Sequence, residues 1–303
     1  MKNNPVSIAM IVVASLFWGV IGVFSRELQA FGLSPIQVTE IRCIAVSIFI
    51  TLAIAVYDKK LLRIRLKDLW MFFGSGVIGI ISFNVLYFES NNYVTLSTTA
   101  VLLYTAPFFV LLMSVIIFKE KLTKQKIAAL VIAFTGCVLI AGLLEGGSGF
   151  NGYGFLLGLG SGVGYALYTI FGKYALKTYH PLTLTLYTFL VAGICLIPFS
   201  DIPQIVDVAI GSQDALMWMI GLGLLITTLP YLLYNLGLNG LDAGVASVVA
   251  FLEPMVATIA GFIIYNETPS ILDILGILMI LFAIILLNIE FKPKGAENTQ
   301  SES

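Results

Sequence analysis

Ten long apolar runs, separated by short polar or charged joints, make up nearly all of the 303-residue chain. They lie at roughly 6–25, 35–57, 68–88, 95–118, 125–143, 152–176, 182–199, 214–237, 243–265 and 270–289. A hydrocarbon core about 30 Å thick is crossed by about 20 mostly apolar helical residues. Each run therefore predicts a membrane-spanning helix, and the fold class expected is an all-α membrane protein of ten transmembrane helices. The first run follows one lysine and has no small-residue cleavage site, so it reads as a retained helix. Only the tail, 291–303, is polar enough to predict disorder.

Composition agrees with this pattern. Hydrophobic residues are 59% of the chain and charged residues 11%, against about 25% charged in a soluble domain. A net charge of −1 leaves no basic footprint for nucleic acid. Cys43, Cys137 and Cys195 stand singly in apolar runs and His180 is the one histidine, which excludes a disulfide framework and a histidine-pair metal site. No cofactor, metal or catalytic group is expected. The partners expected are the lipid bilayer and a small-molecule substrate, with the oligomeric state left open.

The basic residues predict orientation. With the N-terminus in the cytoplasm, fourteen of the 16 lysines and arginines fall in cytoplasmic joints, from Lys2 through the Lys59–Lys67, Lys119–Lys126 and Lys173–Lys177 groups to Lys292 and Lys294. Arg26 and Arg42 fall on the outer side, whose loops carry Glu145, Asp201, Asp207 and Asp214. This bias places both termini in the cytoplasm of a cell membrane.

The chain also repeats. At an offset of 147 positions Phe24 meets Phe171, Gly74 meets Gly221, Gly76 meets Gly223, Tyr87 meets Tyr234, Pro107 meets Pro254 and Glu120 meets Glu267. Trp18 with Tyr165 and Arg26 with Lys173 are softer pairs, and Pro35 meets Pro181 at 146. Residues 1–145 and 150–290 thus read as two copies of five spans each. Five is odd, so the second copy runs inverted through the membrane, the arrangement expected of alternating-access carriers with a midplane site between repeats.

Several of these residues carry a family resemblance. Pro107 followed by Lys119, Glu120 and Lys121, the run Leu252–Glu253–Pro254 closing at Glu267, and Pro35 followed by Arg42 and Ala45 resemble EamA-type members of the drug/metabolite transporter superfamily. The resemblance covers about residues 6–290. It implies a ten-helix carrier whose cavity is lined chiefly by spans 1, 3, 4, 6, 8 and 9. It implies no one substrate, since members move amino acids, amines, nucleosides, carrier-linked sugars and drugs.

Glu253 is the sharpest candidate for chemistry. It lies about 15 Å into the ninth span, where an ionisable group is a functional hypothesis by default. Ala246, Ala250, Ala257, Ala260 and Gly261 share its face and leave room for a helix or a ligand. It is either a proton-coupling acid or a neutral structural one bonded to a neighbour. Pro107 and Pro254 break the backbone hydrogen bonding of their helices at matching depth, as a packing kink or as part of a discontinuous carrier helix. Arg42, about 10 Å below the outer surface, anchors an anion, closes a gate or snorkels outward. Glu40 is expected to reach the headgroups, and Glu89 and Asp242 to be solvated.

Trp18, Tyr87, Tyr104, Tyr165, Tyr168, Tyr231 and Tyr234 fall on spans expected to face the cavity, where they hold a cationic or zwitterionic ligand or simply pack. Asn84 and Asn235 supply hydrogen bonds there or between helices. The Gly154, Gly158, Gly162 ladder predicts close helix packing and fails the spacing of a nucleotide loop. Without an ATP-binding motif, the reading is a secondary transporter of a small polar or amphiphilic metabolite, driven by a gradient and coupled to protons through Glu253. An uncoupled facilitator or exchanger is the alternative. An intramembrane enzyme finds no nucleophile, paired aspartates or H-E-x-x-H motif to support it.

Overall fold

A computed structural model describes residues 4–142, 151–264, 268 and 270–288, all helix and connecting turns with no strand among the described residues. Glu145, Glu267, Lys2, Lys292, Lys294 and the tail 291–303 lie outside them. Polar residues in the joints start the helices. Asn4, Ser34, Thr95, Thr123, Asn151, His180 and Ser212 each accept a first-turn backbone N–H, and Pro5, Pro35 and Pro181 take the first helical position, where no N–H is needed.

Eight helices are long and apolar enough to cross a membrane: α1 (Pro5–Ala30), α2 (Pro35–Tyr57), α3 (Leu66–Ser90), α4 (Leu96–Phe118), α6 (Gly152–Ala175), α7 (Pro181–Phe199), α9 (Gln213–Gly240) and α10 (Ala243–Ile264). The expected runs 125–143 and 270–289 become the shorter α5 (Lys124–Ile140) and α11 (Ile271–Asn288), which pack on each other. One helix was not expected. The joint after span seven holds α8 (Ile202–Gly211), begun by Asp201, which accepts the Gln204 N–H. It buries Ile205 with Met219 and Leu222 of α9 while Val206 and Ile210 stay exposed. Its ten residues are too few to register as a span.

Four irregularities fall at matching places. α4 stops being helical at Tyr104–Thr105 and α10 at Ala250–Phe251, ahead of Pro107 and Pro254. The Ala250 carbonyl, deprived of the Pro254 N–H, instead accepts from Glu253 N at 3.0 Å. α3 and α9 widen into π-helical turns at Gly74–Ile81 and Leu224–Thr228. There Ser82, Thr227 and Thr228 donate to carbonyls five residues back at 3.1, 2.8 and 2.7 Å. π turns occur where a helix is bent at a working site. α1 is also interrupted, at Val20.

Apolar side chains cover the outside of the bundle, among them Ile48, Leu52, Leu112, Ile116, Leu278 and Ile285, all exposed. Surface of this kind is stable against acyl chains and would aggregate in water. The chain is a multi-pass membrane protein.

α5 and α11 cross at two glycines. A Cβ added to Gly136 would sit 2.7 Å from the Gly276 carbonyl oxygen, and one added to Gly276 would sit 2.6 Å from that of Gly136. Gly136→Leu and Gly276→Leu are each expected to cost about 1–3 kcal/mol by overpacking, read as a lower melting temperature in detergent. Gly211→Leu, at a glycine with open space around it, should melt like the parent.

Candidate functional site

The breaks and π turns surround a cavity of about 490 Å³. Helices from both halves of the chain wall it. Trp18, Arg42, Asn84, Tyr87, Tyr104, Tyr165, Tyr231 and Glu253, all singled out in the sequence, line this one space. It runs from Glu253 toward the end of the bundle where α1 meets α2 and α3 meets α4, reaching Ser25, Pro35, Phe88 and the exposed Arg26.

Each side chain is placed by its own helix. Gly19, beside the α1 interruption, lets α1 close on α10: a Cβ there would stand 2.9 Å from the Glu253 carbonyl oxygen. This puts Trp18 against the second half, its ring 4.9 Å from Tyr231 and 5.3 Å from Tyr234. Its indole N–H has no hydrogen-bond partner among the described residues. Glu253 heads the second segment of α10, half-buried on the cavity wall, with the Tyr104 hydroxyl placed to donate to its carboxyl. Asn84 spends one donor on the Ile80 carbonyl at 2.7 Å.

Arg42 turns inward. It is 6% exposed, donating from Nε to Thr227 Oγ1 at 3.3 Å and from one terminal nitrogen to the Tyr231 hydroxyl at 3.4 Å. Its guanidinium carbon lies 5.9 Å from the Tyr231 ring centroid. Both anchors belong to α9, so the second half of the chain orients a charge carried by the first.

Three expectations end elsewhere. Tyr168 and Tyr234 lie off the large cavity, each 1% exposed. Tyr168 donates to Asn235 Oδ1 at 3.1 Å, and Tyr234 shares a 2.9 Å hydrogen bond with Thr169. Asn235 itself donates to Thr185 at 2.9 Å, knitting α6, α7 and α9 together. Glu40, expected at the headgroups, is 1% exposed. α2 packs on α7 at Gly193, whose missing side chain leaves room for it: a Cβ there would be 3.7 Å from Glu40 Oε1. Asp242, expected to be solvated, pairs with Lys126 at 2.7 Å.

The cavity has a floor. Tyr104 and Phe251, each at a helix break and 147 positions apart, face one another at 6.2 Å. Beneath them is a void of only about 10 Å³ beside Pro107, Tyr165 and Tyr234. Farther on, the joint between α9 and α10 is gripped by the α4–α5 joint, by α5 and by α6. Glu120 accepts from Ala243 N at 2.7 Å and Gly244 N at 3.3 Å, Lys126 holds Asp242, and Lys173 donates to the Leu238 and Leu241 carbonyls at 2.7 and 2.5 Å. Neither this clamp nor Thr227 is among the expected sites. The Lys-Glu-Lys close of span four is its one visible trace. The Gly154, Gly158, Gly162 ladder seats α6 on the α3–α4 hairpin: a Cβ at Gly162 would meet the Leu102 carbonyl at 2.8 Å.

The sequence profile of the EamA-like transporter family matches this chain twice, over residues 6–142 and 152–289. The chain belongs to the EamA-like transporter family. It is 31% identical over 271 residues to an uncharacterized transporter of Archaeoglobus fulgidus, covering 89% of this chain and 94% of that one. It is 25% identical over 308 residues to the uncharacterized transporter YxxF of Bacillus subtilis, covering 99% and 96%. A protein of known crystal structure shares the fold at a TM-score of 0.77 and 16% identity, across 93% of this chain and 96% of that one.

Proposed function

We propose that the protein is a secondary transporter carrying a small polar or amphiphilic metabolite across the cell membrane by alternating access, coupled to protons through Glu253. In this reading ten helices, α5 and α11 included, cross the membrane as two inverted five-helix repeats, with both termini in the cytoplasm. The observation that carries it is the large cavity, walled by both halves, reaching the surface at one end and stopping at Tyr104 and Phe251. Two family-profile matches and the paired breaks at 104–105 and 250–251 support a duplicated architecture. The excess of basic residues at the opposite end supports an outward-facing cavity mouth. The state seen is then outward-open, and the inward-open state needs the floor pair and the Glu120 clamp to part.

Reciprocal labelling tests this in proteoliposomes, with Cys43, Cys137 and Cys195 replaced. A cysteine at Ser25, on the rim, should react with an impermeant maleimide from outside, and one at Ser247, below the floor, should stay protected. In a panel of amino acids, amines and nucleosides, at least one compound should slow the first reaction and speed the second. Labelling that no compound moves in opposite directions would count against alternating access.

A further inference from the structure

The cavity holds two opposite charges that do not touch. Arg42 and Glu253 both line it, yet no ion pair within 4.0 Å joins them. Charged groups in a low-dielectric site normally pair or are neutralised, because an uncompensated charge there is costly. Here each is kept apart by its own support. Thr227 and Tyr231 take two of the five guanidinium N–H groups, which leaves three for another acceptor. Glu253 lines the same space together with Tyr104 and Tyr165, and aromatic faces attract a cation.

We propose that the cavity is a two-pole site for a zwitterion, an amino-acid-type molecule whose carboxylate binds Arg42 and whose ammonium binds Glu253, with a compact apolar body against Trp18 and Tyr231. This rests on the transport reading above. A lone amine would satisfy Glu253 and leave its positive charge in the same space as Arg42. A lone carboxylate would satisfy Arg42 and face Glu253. Only a molecule carrying both charges compensates both poles at once, so the arrangement rejects each half-ligand by leaving one buried charge unmatched. The volume, about 490 Å³, is in the range of pockets that enclose small molecules. It has room for an amino acid with a branched or aromatic side chain.

Thermal unfolding of the full chain in detergent tests this with nine compounds: L-leucine, L-methionine and L-phenylalanine, each beside its decarboxylated amine and its deaminated acid. A ligand of the folded state raises the melting temperature. At least one zwitterion should do so, with its amine and acid at the same concentration giving less than half the shift. Arg42→Gln and Glu253→Gln should each weaken that zwitterion at least about tenfold, the loss of one charge-assisted contact. Arg42→Lys keeps the charge without the forked geometry. It should fold and still bind more weakly than the parent, which separates loss of recognition from loss of fold. An amine or acid that stabilises as well as its zwitterion, or no shift from any of the nine, would overturn the two-pole site. Counterflow in proteoliposomes separates this from the transport reading. Exchange of an amine without zwitterion preference overturns the site and leaves transport standing. Binding of a zwitterion that is never exchanged leaves the site standing and overturns transport.

Discussion

Glu253→Gln is expected to remove all stimulation of substrate movement by a proton gradient. Charge on a carboxyl near the middle of a span is costly unless something compensates it. In this cavity two things can: a proton, or a cationic group on the substrate. Both use the same pair of oxygens, so they compete, and a carrier that must satisfy this group before it can close exchanges one for the other. Parent protein in vesicles with an acid lumen should therefore accumulate external substrate, protons leaving as it enters. Glutamine has nearly the same shape and can still accept from Tyr104, but it can neither hold nor release a proton. Whatever slow uptake survives in the variant should be the same with and without the pH difference. The measurement is initial uptake at several lumenal pH values. A Glu253→Gln protein whose uptake still follows the gradient would take coupling away from this residue.

The legible part of this molecule is what hydrophobic pattern and residue chemistry report directly. Glu253 stood out because an acid in an apolar run has no cheap explanation, and Pro107 and Pro254 because proline removes a backbone donor wherever it sits. Both helices do break ahead of these prolines. The π turn in α9 has a comparable cause in Pro230, which cannot donate to Ile226. The π turn in α3 contains no proline, only Gly74, Gly76 and Gly79, and was not foreseen. Nor was the interruption of α1 at Val20, where the only local signals are Gly19 and Gly22.

Side-chain direction was less legible, because helical periodicity gives a face and not the neighbour that face will meet. Arg42 has a stem long enough to snorkel, and Thr227 in another helix decides that it turns inward instead. Glu40 looked shallow enough to reach water, and the gap at Gly193 draws it into the α2–α7 contact. Tyr168 and Tyr231 lie on different helices, and only Tyr231 reaches the cavity, because Asn235 is close enough to take the Tyr168 hydroxyl. These outcomes depend on pairs of residues more than 60 positions apart, beyond any local pattern. The same holds for the inner clamp, whose members come from the α4–α5 joint, α5 and α6 and close on the joint between α9 and α10.

That clamp leads to the second large effect, on the balance between the two states. Glu120→Ala would leave the N–H groups of Ala243 and Gly244 without their acceptor while the inner end stays shut, a cost of about 1–3 kcal/mol. With the inner end open, water can reach these groups, so the cost falls mainly on the closed state. At 1.4 kcal/mol per factor of ten, the inward-open population should rise about 5- to 140-fold. Labelling of a cysteine at Ser247 from the cytoplasmic side should speed up by a similar factor, and labelling at Ser25 from outside should slow. Glu120→Gln, which keeps one acceptor oxygen, should fall between Glu120→Ala and the parent. Lys126→Met breaks an ion pair whose acid is one-third exposed, so screening limits its effect to about 0–1 kcal/mol, less than sixfold. If Glu120 only braced the fold, Glu120→Ala would lower the melting temperature and leave the two labelling rates in their original ratio. A change in that ratio, in opposite senses at the two ends, is what identifies the Glu120 contact as part of the inner gate.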